Sequence, residues 1–190
     1  MTIFDQAPTT RSRWSILRLG MAAGLAALTL AAPARADMLA AGASMPEFAL
    51  SDHNGNVVRS ADLAGKSYFL WFYPKAQTPG CTAEAQGLRD RHAALDAAGV
   101  VVLGISFDDP EDNKRFVEAE VLPFRLLSDK DRKLSVALGA ADSERAWFAR
   151  RISYLVGPDG KVRKAYEDVD PSTHADEVVK DCSSAPGVAK

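Results

Sequence analysis

From Pro46 onward the chain alternates short apolar runs with stretches of helical periodicity. EFAL (47–50) and NVVR (56–59) flank the polar turn 52–55 and predict an antiparallel pair of strands. SADLAG (60–65) predicts one helical turn closed by Gly65. SYFLWFY (67–73) is unbroken in apolar and aromatic residues, the pattern of a strand covered on both faces. A helix is predicted over 81–98, with Leu88, His92 and Leu95 on one face and Gly99 as its stop. VVVLGIS (100–106) predicts the second buried strand, and Pro110 suits the first position of the helix that follows.

FRLLSD (124–129) predicts a short strand, and RKLSVALG (132–139) a short helix ending at Gly139. RISYLVG (151–157) and KVRKAYEDV (161–169) flank Pro158-Asp159-Gly160 and predict a hairpin. A last helix is expected over 172–180, followed by a loose tail, CSSAPGVAK. Long crossover helices between strands imply parallel neighbours in the sheet centre, with antiparallel strands at its margin. The expected architecture is therefore α/β: a thioredoxin-like fold whose central mixed sheet is flanked by helices, in a single domain over 37–190.

The first 36 residues read differently. Arg11, Arg13 and Arg18 precede an apolar run, 19–32, and Ala34-Arg35-Ala36 ends it as a small-x-small cleavage site. This is the pattern of a signal peptide, with Asp37 as the mature N-terminus and a periplasmic or secreted destination; a retained interfacial anchor is the alternative. The run is too short to span a bilayer comfortably. Ser12 separates Arg11 from Arg13, which favours general export over a twin-arginine signal. The whole chain carries 23 basic and 25 acidic residues. Removal of Arg11, Arg13, Arg18, Arg35 and Asp5 would leave 19 basic and 24 acidic residues, a net charge of −5. That balance argues against nucleic acid and anionic membranes as partners.

Two cysteines, Cys81 and Cys182, stand about a hundred residues apart. Cys81 follows Thr78-Pro79-Gly80 at a helix start, where unpartnered backbone amides and the helix dipole favour an anion. Thiols in such settings ionise readily. Thr82 and Glu84 fall in the first turn, where an acceptor or a negative charge is well placed. Pro79-Gly80 lets backbone approach closely. A buried structural cysteine is the competing reading.

Pro74, Thr78 and Cys81 form P-x-x-x-T-x-x-C on the loop leaving the central strand. This resembles the peroxiredoxins. YPKAQTPGCTAEA, GLRD, AGVVVLGIS, FRLLSD and RRISYLVGPDGKV are similar to the peroxiredoxin Q (bacterioferritin comigratory protein) subfamily over about 43–179. The resemblance implies that Cys81 is a peroxidatic thiolate attacking a hydroperoxide. Thr78 would accept from and donate to peroxide and thiolate, and Pro74 would shield the sulfur. Arg151 would hold both with its guanidinium, and the amides of Gly80 and Cys81 would complete the cradle. Substrate binding would fall to Gly80, Thr78 and Arg151, with no metal and no organic cofactor. Arg151 is preferred over Arg150, because adjacent strand residues face opposite ways and RIS matches at 151. Arg150 is then a solvated surface charge, and Lys75 and Arg89 are surface or supporting charges. Trp147 and Phe148 either wall the pocket or are plain surface or core aromatics.

Many members of the subfamily carry a resolving cysteine five residues after the first. Here Gln86 stands there, so that local disulfide cannot form. Either an external thiol (a thioredoxin-like protein or a small thiol) reduces Cys81 in a one-cysteine cycle, or Cys182 resolves it. Asp181 should raise the Cys182 pKa. The resemblance leans to a monomer or weak dimer.

Rival readings carry less. An exported thiol–disulfide oxidoreductase needs C-x-x-C, which 81–84 lacks. A copper-delivering protein needs paired cysteines and a histidine, whereas His53, His92 and His174 are scattered. A non-enzymatic interaction module would have no use for Pro74, Thr78, Cys81 and Arg151 together. Nucleophile-elbow, P-loop and dinucleotide motifs are missing from the sequence.

Overall fold

The computed structural model describes residues 37–184, with one seven-stranded mixed sheet at its centre. The signal-peptide reading of 1–36 and the tail beyond 184 lie outside the described residues. Strands β1 (Ala49–Asp52) and β2 (Val57–Arg59) form the expected antiparallel pair. Asp52 Oδ1 closes their turn by accepting the amides of Asn54 and Asn56, both at 2.9 Å. A 3-10 turn, Ser60–Leu63, leads into β3 (Ser67–Phe72), every residue of which is buried.

The crossovers then alternate: α1 (Pro79–Ala97), β4 (Val100–Ser106), α2 (Pro110–Glu120), β5 (Arg125–Ser128) and α3 (Lys133–Ala137). Strands β6 (Ile152–Val156) and β7 (Val162–Tyr166) form the second hairpin, and α4 (His174–Ser184) closes the chain. Sheet order is β2-β1-β5-β4-β3-β6-β7. The pairs β3–β4 and β4–β5 are parallel, and every other neighbour is antiparallel.

The pleat sorts side chains into two cores. Phe69, Trp71, Val102, Leu126 and Leu155 face α1, α2 and α4, which bring Leu88, Leu95, Phe116 and Val178. Leu70, Phe72, Leu103, Ile105 and Tyr154 face the other way, toward Leu134 and Leu138 of the α3 region and Phe48 and Val58 of the first hairpin. Gly104 is required where β4 crosses beneath the aromatic pair Trp71–Tyr73. A Cβ there would stand 2.4 Å from Leu126 Cδ2 and 3.0 Å from the Trp71 ring.

Two boundaries differ from the sequence reading. Helix α1 begins two residues before Cys81, at Pro79, because proline at the first helical position gives up only a donor that would be orphaned anyway. Helix α4 runs four residues beyond 180, so Cys182 is not in a loose tail. It is helical, 2 % exposed, and packed in the same core as Cys81. The small polar letters of the tail hide the fact that Ala175, Val178 and Cys182 share the helix face turned to the sheet.

His174 opens α4 from inside this core. Its ring lies against Tyr166 and Phe69 (centroids 5.0 and 5.6 Å), with Nε2 3.1 Å from Ser153 Oγ. Burial lowers its pKa from 6.5 to about 4; Glu177 and Asp181 oppose the shift, while Lys164 and Arg151 add to it. Between those two values the unfolded chain binds a proton that the folded chain refuses. Stability should therefore fall as pH drops from 6.5 to 4, by on the order of 3 kcal/mol from this residue. Urea unfolding across that window should show the slope, and His174→Gln should flatten it; an unchanged slope would assign the acid sensitivity to other groups.

Candidate active site

The loop 74–78 carries the chain from the buried end of β3 to the start of α1. Pro74 is half-buried at the strand exit, and Gln77 adopts φ +61°, a left-handed conformation that costs a non-glycine residue about 1 kcal/mol. Thr78 sits at the helix N-cap with extended backbone (φ −82°, ψ 149°), and its carbonyl accepts the Thr82 amide at 2.8 Å. Its hydroxyl does not cap the helix. Instead Oγ1 donates to the Lys75 carbonyl at 2.9 Å, so its one proton is committed and only acceptor lone pairs remain for anything else.

Cys81 lies in the first turn of α1 and has no exposed surface. Arg151, immediately before β6, reaches across from the next strand and donates from Nη2 to Cys81 Sγ at 3.4 Å. Its Nη1 donates to Glu84 Oε2 in an ion pair whose acid is fully buried. Arg151 thus faces two groups on successive turns of one helix face, Cys81 and Glu84 being three residues apart. Burial pushes the Glu84 carboxyl above its ordinary value, and Arg151 draws it back. Burial also works against the Arg151 charge, but the bonds to Cys81 and Glu84 outweigh it and leave the guanidinium more firmly protonated than usual.

Gly80 is part of this contact. A Cβ built there would meet Arg151 Nη2 at 3.2 Å and Pro171 Cγ at 3.9 Å, so the glycine lets the guanidinium come down over the helix start. Pro171, from the β7–α4 loop, forms a further wall.

The structure thus brings Cys81, Gly80 and Arg151 into one cluster, with Thr78 one helical turn away. Arg150 does turn elsewhere, but it is not a free surface charge: Nη1 donates to the Gly139 carbonyl at 2.9 Å and Nη2 to Glu167 at 3.1 Å. Arg89 is likewise bonded, to Asp90 and to the Glu120 carbonyl, each at 2.9 Å. Trp147 and Phe148 are 87 % and 56 % exposed and project into solvent. Gln86 donates to Glu120 Oε2 at 2.8 Å, tying α1 to α2.

Cys182 has its pKa raised to about 11 by burial first and Asp181 second. Among the described residues, no group of three or more His, Cys, Asp or Glu side chains could hold a metal ion. No described helix is long and apolar enough to cross a membrane. Sequence reading missed the partnership of Glu84 with Arg151. The available signal was an acid one turn after Cys81 on the same helix face, together with a late arginine in need of a counter-charge.

The chain matches known proteins along most of its length. Residues 41–165 match the AhpC/TSA family, and the chain belongs to that family. Peroxiredoxin Bcp of Escherichia coli (strain K12) is 43% identical over 147 residues, covering 74% of this chain and 94% of that protein. The chloroplastic peroxiredoxin Q of Gentiana triflora is 35% identical over 145 residues, covering 76% and 67%. Among solved structures, peroxidoxin BcpB of Mycobacterium tuberculosis superposes with a TM-score of 0.73 at 26% identity, covering 79% of this chain and 99% of that one. Peroxiredoxin Q of Xanthomonas campestris gives 0.68 at 29%, covering 72% and 90%. The fold and these relatives define a thiol-dependent peroxidase.

The buried pair is open to test. Glu84→Ala leaves Arg151 without its counter-charge and should cost about 3 kcal/mol, the low end for a broken buried pair because the Arg151 side chain keeps 20% exposure. The double variant Glu84→Ala/Arg151→Ala should lose less than the sum of the single losses in chemical denaturation. Simple additivity would show that the two side chains do not stabilise each other.

Proposed function

We propose that this chain is an exported thiol peroxidase in which Cys81 reduces hydrogen peroxide or small organic hydroperoxides and is then regenerated by an external thiol. The observation that carries this reading is the Arg151 contact with the sulfur, made over the first turn of α1 and backed by Glu84. First-turn amides and a guanidinium together present positive potential to the sulfur.

The thiolate attacks one peroxide oxygen. An S–O bond forms and the O–O bond breaks; sulfur is oxidised to sulfenic acid, and the departing oxygen takes a proton to leave as water or alcohol. Negative charge moves from sulfur to the leaving oxygen during this step. A donor fixed at that position lowers such a barrier by about 3 to 4 kcal/mol, and Arg151 is the group suited to supply it. Thr78 Oγ1, its proton given to Lys75, would accept from the peroxide O–H. Pro74 would limit water at the sulfur.

Two equivalents of an external thiol then return Cys81 to its reduced form, releasing water and a disulfide. Gln86 in place of a cysteine, and a buried Cys182 with a raised pKa, support this one-cysteine cycle. A second reading, in which Cys182 resolves the sulfenic acid within the chain, draws on the placement of both cysteines in one core beneath packed helices α1 and α4. A monomer or weak dimer suffices for either.

Cys81→Ser should abolish peroxide consumption, and Cys182→Ser should turn over normally with a small-thiol donor. Mass spectrometry after one equivalent of peroxide, with a sulfenic-acid trap present, should find the adduct on Cys81. Rapid loss of both thiols without an adduct would favour Cys182 as resolver, and an unmodified Cys81 would end the peroxidase reading for that residue.

Export rests on the charged start, apolar run and small-x-small site within 1–36. N-terminal sequencing of the protein from a periplasmic extract should begin at Asp37. A membrane-bound form that retains the leader would replace cleavage with anchoring.

A further inference from the structure

Loop 74–78 has to be held in place for Thr78 and Cys81 to face a common reactant, yet it has no strand partner of its own. Among the described residues, a carboxylate on the neighbouring crossover attaches it. Asp108, just beyond the end of β4, is buried at 4 % exposure. Its Oδ2 accepts the Ala76 amide at 2.8 Å, and its Oδ1 pairs with the Lys75 ammonium. The Lys75 carbonyl, fixed between these two contacts, accepts the Thr78 hydroxyl. One carboxylate thus sets the backbone amide, the cation and, through the carbonyl, the direction of the Thr78 oxygen.

Asp108 is itself anchored to the rigid part of the sheet. Ser106 Oγ donates to Asp108 Oδ2 at 2.9 Å and accepts the Asp108 amide at 3.2 Å. Ser106 ends β4, which runs parallel to β3, and the Tyr73 amide donates to the Ile105 carbonyl at 3.0 Å where both strands finish. Behind this, the Tyr73 hydroxyl donates to Asn113 Oδ1 at 2.6 Å, and Asn113 Nδ2 donates to Ser128 Oγ at 3.2 Å. A buried polar belt therefore joins the ends of β3, β4 and β5 to the first turn of α2. Fully satisfied buried networks of this kind rigidify what they touch.

Charge is balanced as well. Asp108 is a buried carboxylate on the loop that follows β4, beside the loop that leads to Cys81. Lys75 neutralises it. The carboxylate can then serve as a geometric clamp without opposing the chemistry.

We infer that Asp108 is a positioning residue for the Cys81 reaction, clamping the Pro74–Thr78 loop so that the Thr78 oxygen and the start of α1 are presented together. The inference rests on Cys81 being the peroxide-reactive thiol. It attributes the effect to the acceptor's place more than to its charge: the Ala76 amide needs an oxygen at that point, whereas the Lys75 ammonium, 48% exposed, has water to turn to when the second contact is lost.

The test compares three substitutions by stopped-flow oxidation with hydrogen peroxide and, separately, by alkylation of Cys81 with iodoacetamide, which needs the thiolate but not Thr78. Asp108→Asn keeps an acceptor oxygen in place and should lose no more than about threefold in the peroxide rate. Asp108→Glu keeps the charge but pushes the oxygen out by one methylene, and should lose roughly tenfold or more. Asp108→Ala should lose about 100-fold, the scale expected when reacting groups are misplaced by an ångström. Alkylation should change little in all three.

If Asp108→Ala fails to fold, the Asn and Glu pair decides alone. A Glu variant as fast as wild type beside a slow Asn variant would mean that charge matters, not placement, and would overturn the inference. So would variants that fold and react at the wild-type rate, or alkylation falling in step with oxidation. A wild-type Cys81 that ignores peroxide would instead remove the reading on which the inference rests.

Discussion

The contact on which the site depends is the buried ion pair between Arg151 and Glu84, with the free end of the guanidinium on the Cys81 sulfur. A lone charge under α1 would be costly to hold away from water. Glu84, fully buried one turn past Cys81, makes the guanidinium tolerable there, and Gly80 leaves room for it to descend. The consequence runs both ways: the acid is admissible in the core because the arginine arrives, and the arginine is oriented because the acid is fixed to the helix. Helix α1 and strand β6 are locked together at the place where the chemistry is proposed.

The sheet explains why these groups can meet. Parallel strands β3, β4 and β5 all end at one margin, so their outgoing loops gather there. The antiparallel return of β6 beside β3 brings Arg151 to the same margin from the opposite chain direction. Side chains separated by about seventy residues become neighbours through strand order alone. Open α/β sheets commonly place their working groups at the carboxyl ends of the parallel strands.

Much of this was legible in the sequence. The unbroken run 67–73 and the paired strands around Pro158-Asp159-Gly160 carry their own local physics and formed where expected, while the helix expected from Cys81 starts two residues earlier, at Pro79. The choice of Arg151 over Arg150 came from the resemblance at RIS, strand alternation saying only that the two face opposite ways; Arg150 proved to be bonded to Gly139 and Glu167. Less legible were features that depend on distant partners. Glu84 read as an ordinary first-turn acid because nothing local says that it will be buried. Cys182 read as tail because serines and lysines surround it, whereas the helix is sustained by a face set against Tyr166 and the sheet. Asp108 was silent for the same reason: its role exists only once β3 and β4 lie side by side.

The complete enclosure of Cys81 has a bearing on molecular size. The sulfur shows no surface, so a small reactant needs less displacement of its surroundings to reach it than a protein thiol does. On the proposed cycle, oxidation would proceed on the compact form, whereas regeneration by a bulky donor would require the beginning of α1 to loosen. The two halves of that proposed cycle would then respond to different features of the molecule, one to local charge and the other to how readily a single helical turn comes undone.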